Sequence, residues 1–178
     1  MPSMRLCEPK QGGHVLLSLA NADNLDLQIH KNNFDVSILI TDLIYEITAK
    51  ANEKNTEITT SVQPNIILFS DQEKILQIAT ILFDNAIKYS EPNGSIEISF
   101  AQTNGRVCLE VTNGGKGIKK SDLHNIFGRF YQTEPSRNSK NGGVGLGLSI
   151  AKALTEKLGG SLSVVSKENE NTTFTFVL

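Results

Sequence analysis

Two runs of alternating residues, Ile96, Ile98, Phe100 and then Val107, Leu109, Val111, flank the dipeptide Asn104-Gly105. Period-two spacing puts each set of apolar side chains on one face of an extended strand. Asn-Gly tolerates the positive φ angles of a tight hairpin turn. The middle of the chain is therefore committed to an antiparallel hairpin with one apolar face, and other segments must cover that face. Helical periodicity supplies the cover. Residues 37–53 read as a helix with Ile38, Leu39, Asp42, Leu43 and Ile47 on one side. A longer helix starts at a cap on Ser70 or Asp71, runs through Tyr89 and is stopped by Glu91-Pro92-Asn93-Gly94. Its core stripe is Ile75, Ile78, Ala79, Leu82 and Ala86.

Around these elements the pattern is mixed. Residues 57–62 and 66–69 read as strands joined by Gln63-Pro64-Asn65, a second hairpin. A short helix is expected near 121–127, then a long polar segment to Gly143, of a length that in compact domains is usually functional. A helix over 145–158, ended by Gly159-Gly160, precedes strands at 162–165 and 172–178. The order predicts an α+β fold, a two-layer sandwich with helices on one face of a mixed, mostly antiparallel sheet.

With 178 residues, 39% of them hydrophobic, one core of good size is available. The 17 basic and 19 acidic side chains nearly balance, so no nucleic-acid partner is expected. Cys7 and Cys108 are too few and too far apart for a disulfide framework or a zinc site, which favours a reducing compartment. No run approaches a membrane span and the start lacks a signal peptide, so the chain reads as soluble and cytoplasmic. Residues 1–33 are set apart from the domain at 34–178. Residues 1–13 read in part as a remnant of recombinant expression, 15–21 as the tail of an upstream helix, and 21–33 as a polar link.

Candidate site residues come from two places. The stretch NGGVGLGLS at 141–149 concentrates glycines in front of a helix. It lacks the lysine of a P-loop, since Leu148 follows Gly147, and GxGxG after a polar run is not a dinucleotide fingerprint. On the 71–89 helix, Gln77, Ile81, Asp84, Asn85 and Lys88 lie off the core stripe. Asn85 and Lys88, three apart, point the same way, an oxygen and a cation suited to a metal and a phosphate.

The stretches FDNAIKYS, VTNGGKGI, IFGRFYQ and GGVGLGLSIAKALTEKLGG, in this order, resemble the four motifs of the ATP-binding domain of bacterial sensor histidine kinases, in the wider family of gyrase, Hsp90 and MutL. The resemblance covers 34–178, and LLSLANADNL resembles the end of the upstream dimerisation helix and its linker. It implies a Bergerat fold with a flexible ATP lid, whose hinge is NGGVGLGLS. It implies ATP and Mg²⁺ as ligands, with Asn85 holding the metal and Lys88 and Tyr89 contacting the nucleotide. Asn113 would meet the adenine edge, with Gly115, Gly117 and Ile118 wrapping the base. Phe127 and Phe130 would anchor the lid, and Arg129 would face the γ-phosphate. Gly143, Val144, Gly145, Leu146, Gly147 and Leu148 would line the phosphate side, where backbone N–H groups at a helix start favour anions. The implied partners are the protein's own dimerisation and phosphoacceptor domain and a response regulator, in a membrane-anchored homodimer of two-component signalling.

Three departures from the family pattern stand out. Asn113 replaces the usual aspartate, and its amide can still accept from and donate to a base. Ile81 replaces a polar residue one turn before Asn85, and it either packs under the lid or weakens support of the metal. No histidine sits in the family's acceptor context: His14, His30 and His124 all lack it. The chain is therefore expected to hold the ATP-binding half of a kinase as part of a longer protein. A nucleotide-binding pseudokinase that serves as an interaction module, and a serine kinase of the anti-sigma-factor type, are the alternatives.

Overall fold

The computed structural model describes residues 28–132 and 144–178. The expectations for residues 1–27 and for Gly143 lie outside the described residues. The elements are β1 (Asn32–Asp35), α1 (Val36–Asn52), β2 (Glu57–Val62), β3 (Ile67–Ser70), α2 (Gln72–Tyr89), β4 (Ser95–Thr103), β5 (Arg106–Gly114), α3 (Gly147–Leu158), β6 (Ser161–Lys167) and β7 (Asn171–Val177).

The hairpin expected around Asn104-Gly105 is β4–β5, with φ of 53° and 78° at the two turn residues. It forms the centre of a five-stranded sheet ordered β2-β4-β5-β7-β6, antiparallel except for the β2–β4 pair. One face carries Ile96, Ile98, Phe100, Val107, Leu109, Val111, Leu162, Phe174 and Phe176, all buried. Over it lie the helices: α1 packs on β2 and α2, α2 on β5 and α3, and α3 on β6. This is the expected two-layer α+β sandwich.

Helix α2 follows the sequence closely. Asp71 caps it, accepting from the Lys74 N–H at 3.1 Å, and the predicted stripe from Ile75 to Ala86 is buried. Helix α3 ends at Gly159, whose φ of 84° lets its N–H and that of Gly160 close on the last carbonyls. It begins at Gly147 rather than 145, because Gly145 has φ 77° and cannot continue a right-handed helix backwards.

Four expectations fail. Strands β2 and β3 do not form a hairpin: β2 pairs in parallel with β4, and β3 pairs antiparallel with β1. The chain between them is drawn apart, with Gln63 N–H bonded to Phe100 O at 2.8 Å and Ile66 N–H to the Ser37 hydroxyl at 3.0 Å. Helix α1 buries Leu43 and Ile47 of the expected stripe and packs Leu39 on the core, but Val36, Ile40 and Ala51 complete the buried face and Ile38 is 59% exposed. Residues 121–127 form successive turns in place of a helix, closed by Asp122 N–H to Lys119 O and Asn125 N–H to Asp122 O. Strand β1 was not foreseen. It begins inside the expected linker, and the preceding Ile29 already packs on the core.

Candidate functional site

Strand periodicity creates the floor of the site. Along β5, Val107, Leu109, Val111 and Asn113 share the inward face, and along β7 Thr172 is in phase with Phe174 and Phe176. The register pairs Asn113 with Thr172. Two polar side chains thus sit side by side at the end of an apolar row, 4% and 6% exposed. They line a cavity of about 640 Å³, walled by Ile118, Ile126, Leu148 and Phe174 and rimmed by the last turn of α2. That size and lining suit a small-molecule ligand.

The rim is fixed by backbone. The β5 exit loop is tied to the β6–β7 turn by Gly115 N–H to Glu170 O at 3.1 Å and Asn169 N–H to Lys116 O at 2.8 Å. Ile118 N–H donates to the Ser166 hydroxyl at 2.9 Å. A Cβ on Gly117, at φ 64°, would overlap the Lys167 carbonyl, and one on Gly115 would lie 2.5 Å from the Tyr89 carbonyl. Only glycine allows these two approaches.

The predicted residues divide into two groups. Asn85, Lys88, Tyr89, Asn113, Gly117, Ile118 and Leu148 line the cavity. Asn85 is half-buried, and its side chain makes no hydrogen bond among the described residues. The Lys88 ammonium lies 5.0 Å from the Tyr89 ring centroid. Gly115 packs behind the rim. Arg129 and Phe130 are exposed and do not line the cavity. Phe127 instead packs edge-to-face on Phe174, centroids 6.5 Å apart, under the Lys152 ammonium at 5.7 Å. Val144 is exposed, Leu146 is buried, and Gly145 accepts from the Phe130 N–H at 2.9 Å. Gly147 faces Ile81, whose Cγ2 lies 3.3 Å from where a Cβ on Gly147 would stand. Ile81 itself is half-buried against the core. Helix α3 has no side-chain cap, so its first N–H groups, beside Leu148, are left to other partners.

Sequence reasoning missed Thr172, Phe174, Glu168, Asn169, Tyr131 and Gln132, which also line the cavity. Thr172 carried a usable signal, being a polar residue in the apolar phase of its strand. The turn residues carried none. Lys88, Lys116 and Lys119 face Glu91, Asp122 and Glu168 around the mouth, so its formal charge is balanced. Desolvation, with the Asp122 carboxylate beside it, pushes the Tyr131 phenol up and keeps it protonated.

A glycine-fixed rim, a polar pair at the end of an apolar floor and an uncapped helix start together form a slot for a small ligand. Residues 70–178 match the family described as histidine kinase-, DNA gyrase B-, and HSP90-like ATPase, and the chain belongs to it. Sensor histidine kinase YkoH of Bacillus subtilis (strain 168) is 46% identical over 111 residues, 62% of this chain and 24% of that protein. Sensor histidine kinase WalK of the same strain is 31% identical over 166 residues, 92% of this chain and 27% of that protein. The chain thus spans about a quarter of the length of these curated relatives. Full-length ShkA in complex with AMPPNP matches with a TM-score of 0.78 at 25% identity, covering 91% of this chain and 34% of that one. The catalytic domain of histidine kinase ThkA, nucleotide-free, matches at 0.72 and 25%, covering 84% and 95%.

Proposed function

We propose that this chain is the Mg-ATP-binding catalytic domain of a two-component sensor kinase. It passes the γ-phosphate to a histidine on a separate dimerisation domain of a longer, membrane-anchored homodimer that signals to a response regulator. The observation that carries the reading is the cavity floor: a buried amide at the end of an apolar slot, which suits a flat base with a hydrogen-bonding edge.

The residues present fit both ligands. Asn113 offers a base edge an amide oxygen with no partner among the described residues. Gly117 brings backbone against the slot, and the uncapped start of α3 supplies N–H donors for phosphate oxygens. Among the described residues no cluster of three His, Cys, Asp or Glu side chains could hold a metal. Asn85 would therefore hold Mg²⁺ together with phosphate oxygens, a common arrangement for this ion. Bound there, Mg²⁺ would neutralise charge building on the transferred group. Lys88 adds a cation at the mouth, and the apolar walls exclude water from the base. Among the described residues no helix is long and apolar enough to cross a membrane, so the anchor would belong to the rest of the protein.

The test is titration with ATP and ADP, followed by γ-labelled ATP with and without an added dimerisation domain. Binding is expected between micromolar and millimolar, roughly -8 to -4 kcal/mol, with acid-labile label on the added domain and none on this chain. Absence of binding at millimolar nucleotide, or label on the chain alone, would overturn the proposal.

A further inference from the structure

The hydrogen-bonding capacity of the cavity floor can be counted. The Ser166 hydroxyl donates its single proton to Asn171 O at 2.8 Å and accepts from the Ile118 N–H at 2.9 Å. Its 2.7 Å contact with Thr172 Oγ1 must then have Thr172 as donor. With its proton spent, Thr172 can only accept from a ligand. Asn113 differs: its Nδ2 makes one long bond of 3.4 Å to Gly114 O, and its Oδ1 accepts nothing from the described residues. Among those residues Thr56 Oγ1 alone is sealed from solvent without a partner, so the Asn113 oxygen opens on the cavity. An amide half-turn about its last torsion exchanges donor and acceptor without changing shape.

Resting on the reading that a nucleotide base occupies this slot, we propose that Asn113 makes the site permissive for purines, accepting 6-oxopurine nucleotides as well as ATP. The Watson–Crick edge of adenine carries a 6-amino donor beside an N1 acceptor, and that of hypoxanthine or guanine carries the reverse, a 6-oxo acceptor beside an N1–H donor. Asn113 matches either order by rotation. A carboxylate at 113 would make the floor acceptor-only and repel a 6-oxo group. Residue 113 therefore sets base selectivity, and the amide relaxes it.

Isothermal titration of the whole chain with Mg-ATP and Mg-ITP, which lacks the bulk of a 2-amino group, tests this. Wild type should bind the two within about tenfold, and Asn113→Asp should widen the ratio by about 10- to 100-fold through weaker ITP binding, the range of one well-made base contact. Wild type that rejects ITP by more than about a hundredfold overturns the inference, as does an unchanged ratio in a folded Asn113→Asp. Should that variant not fold, the wild-type ratio decides alone. If ATP binds and ITP does not, only the permissive floor is lost. If neither binds at millimolar concentration, the nucleotide reading itself falls.

Discussion

The α2–β5 side of the cavity and the stretches on either side of residues 133–143 are built on different principles. Asn113 is 4% exposed, and Gly117 is wedged against the backbone of the β6–β7 turn. Phe130 is 62% and Val144 52% exposed, and a backbone bond from Phe130 N–H to Gly145 O joins the two stretches between residues at φ 62° and 77°. The first side is held by regular elements and close backbone contacts. The second carries two left-handed residues and exposes Phe130 and Val144, while Leu146 and Tyr131 tie it to the core.

The largest expected effect tests the rigid side. Gly117→Ala combines left-handed φ with overlap on the Lys167 carbonyl, which is backbone and cannot swing away. It should cost about 3 kcal/mol or more in urea unfolding. Gly159→Ala, at φ 84° but with open space around its Cβ, should cost about 1 kcal/mol. Equal losses would mean the rim yields and the contrast is false. Next comes Asn85→Ala, expected to lower Mg²⁺-dependent nucleotide affinity about a hundredfold, about 2.7 kcal/mol, with the melting temperature nearly unchanged because the side chain has no described partner. Unaltered Mg²⁺ dependence would assign the metal elsewhere.

Ile81→Asn sits where the two sides meet, against Gly147 at the start of α3. Placing an amide there without partners should cost about 1 to 3 kcal/mol of stability and bring no gain in nucleotide affinity. Tighter Mg-ATP binding at an undiminished melting temperature would restore the metal-support role. The smallest effect lies furthest from the cavity. Burial pushes the Asp71 carboxyl up, but the N–H groups of His30 and Lys74, the Lys74 ammonium and the Glu73 N–H outweigh it and hold the pKa below its ordinary 3.8. A folded pKa below the unfolded one means the stabilisation is complete above 3.8 and lost as pH falls through the folded value. Asp71→Asn keeps the cap but loses the charge, and should be about 0.5 to 1 kcal/mol less stable at neutral pH. Its deficit should shrink once pH drops below 3.8 in acid denaturation curves. A constant deficit would show that the charge contributes nothing.

The legibility of the site follows the same division. Asn85 and Lys88 could be placed because the α2 stripe puts them in a known direction, whereas Asn113 was carried over by motif and proves to lie in phase with the β5 alternation. Arg129 was carried over by motif and found away from the cavity, on a stretch of turns where no period fixes a direction. Thr172 was missed although its phase in β7 betrayed it, because its importance depends on lying opposite Asn113, 59 positions away.

By itself the sequence determined the central hairpin, the caps and core face of α2, the stop of α3 at Gly159 and, through four ordered motifs, the family. All of these rest on contacts within a few residues of one another, where propensity and periodicity act directly. Only the tertiary structure decided that β2 lies parallel to β4, that β3 turns away to β1, and that Ser166 spends the Thr172 proton and leaves Asn113 as the adjustable group on the cavity floor. Strand partners and hydrogen-bond direction between distant residues are set by competition among all the donors and acceptors in a packed core. A local pattern shows which groups must be satisfied, and the fold chooses by whom.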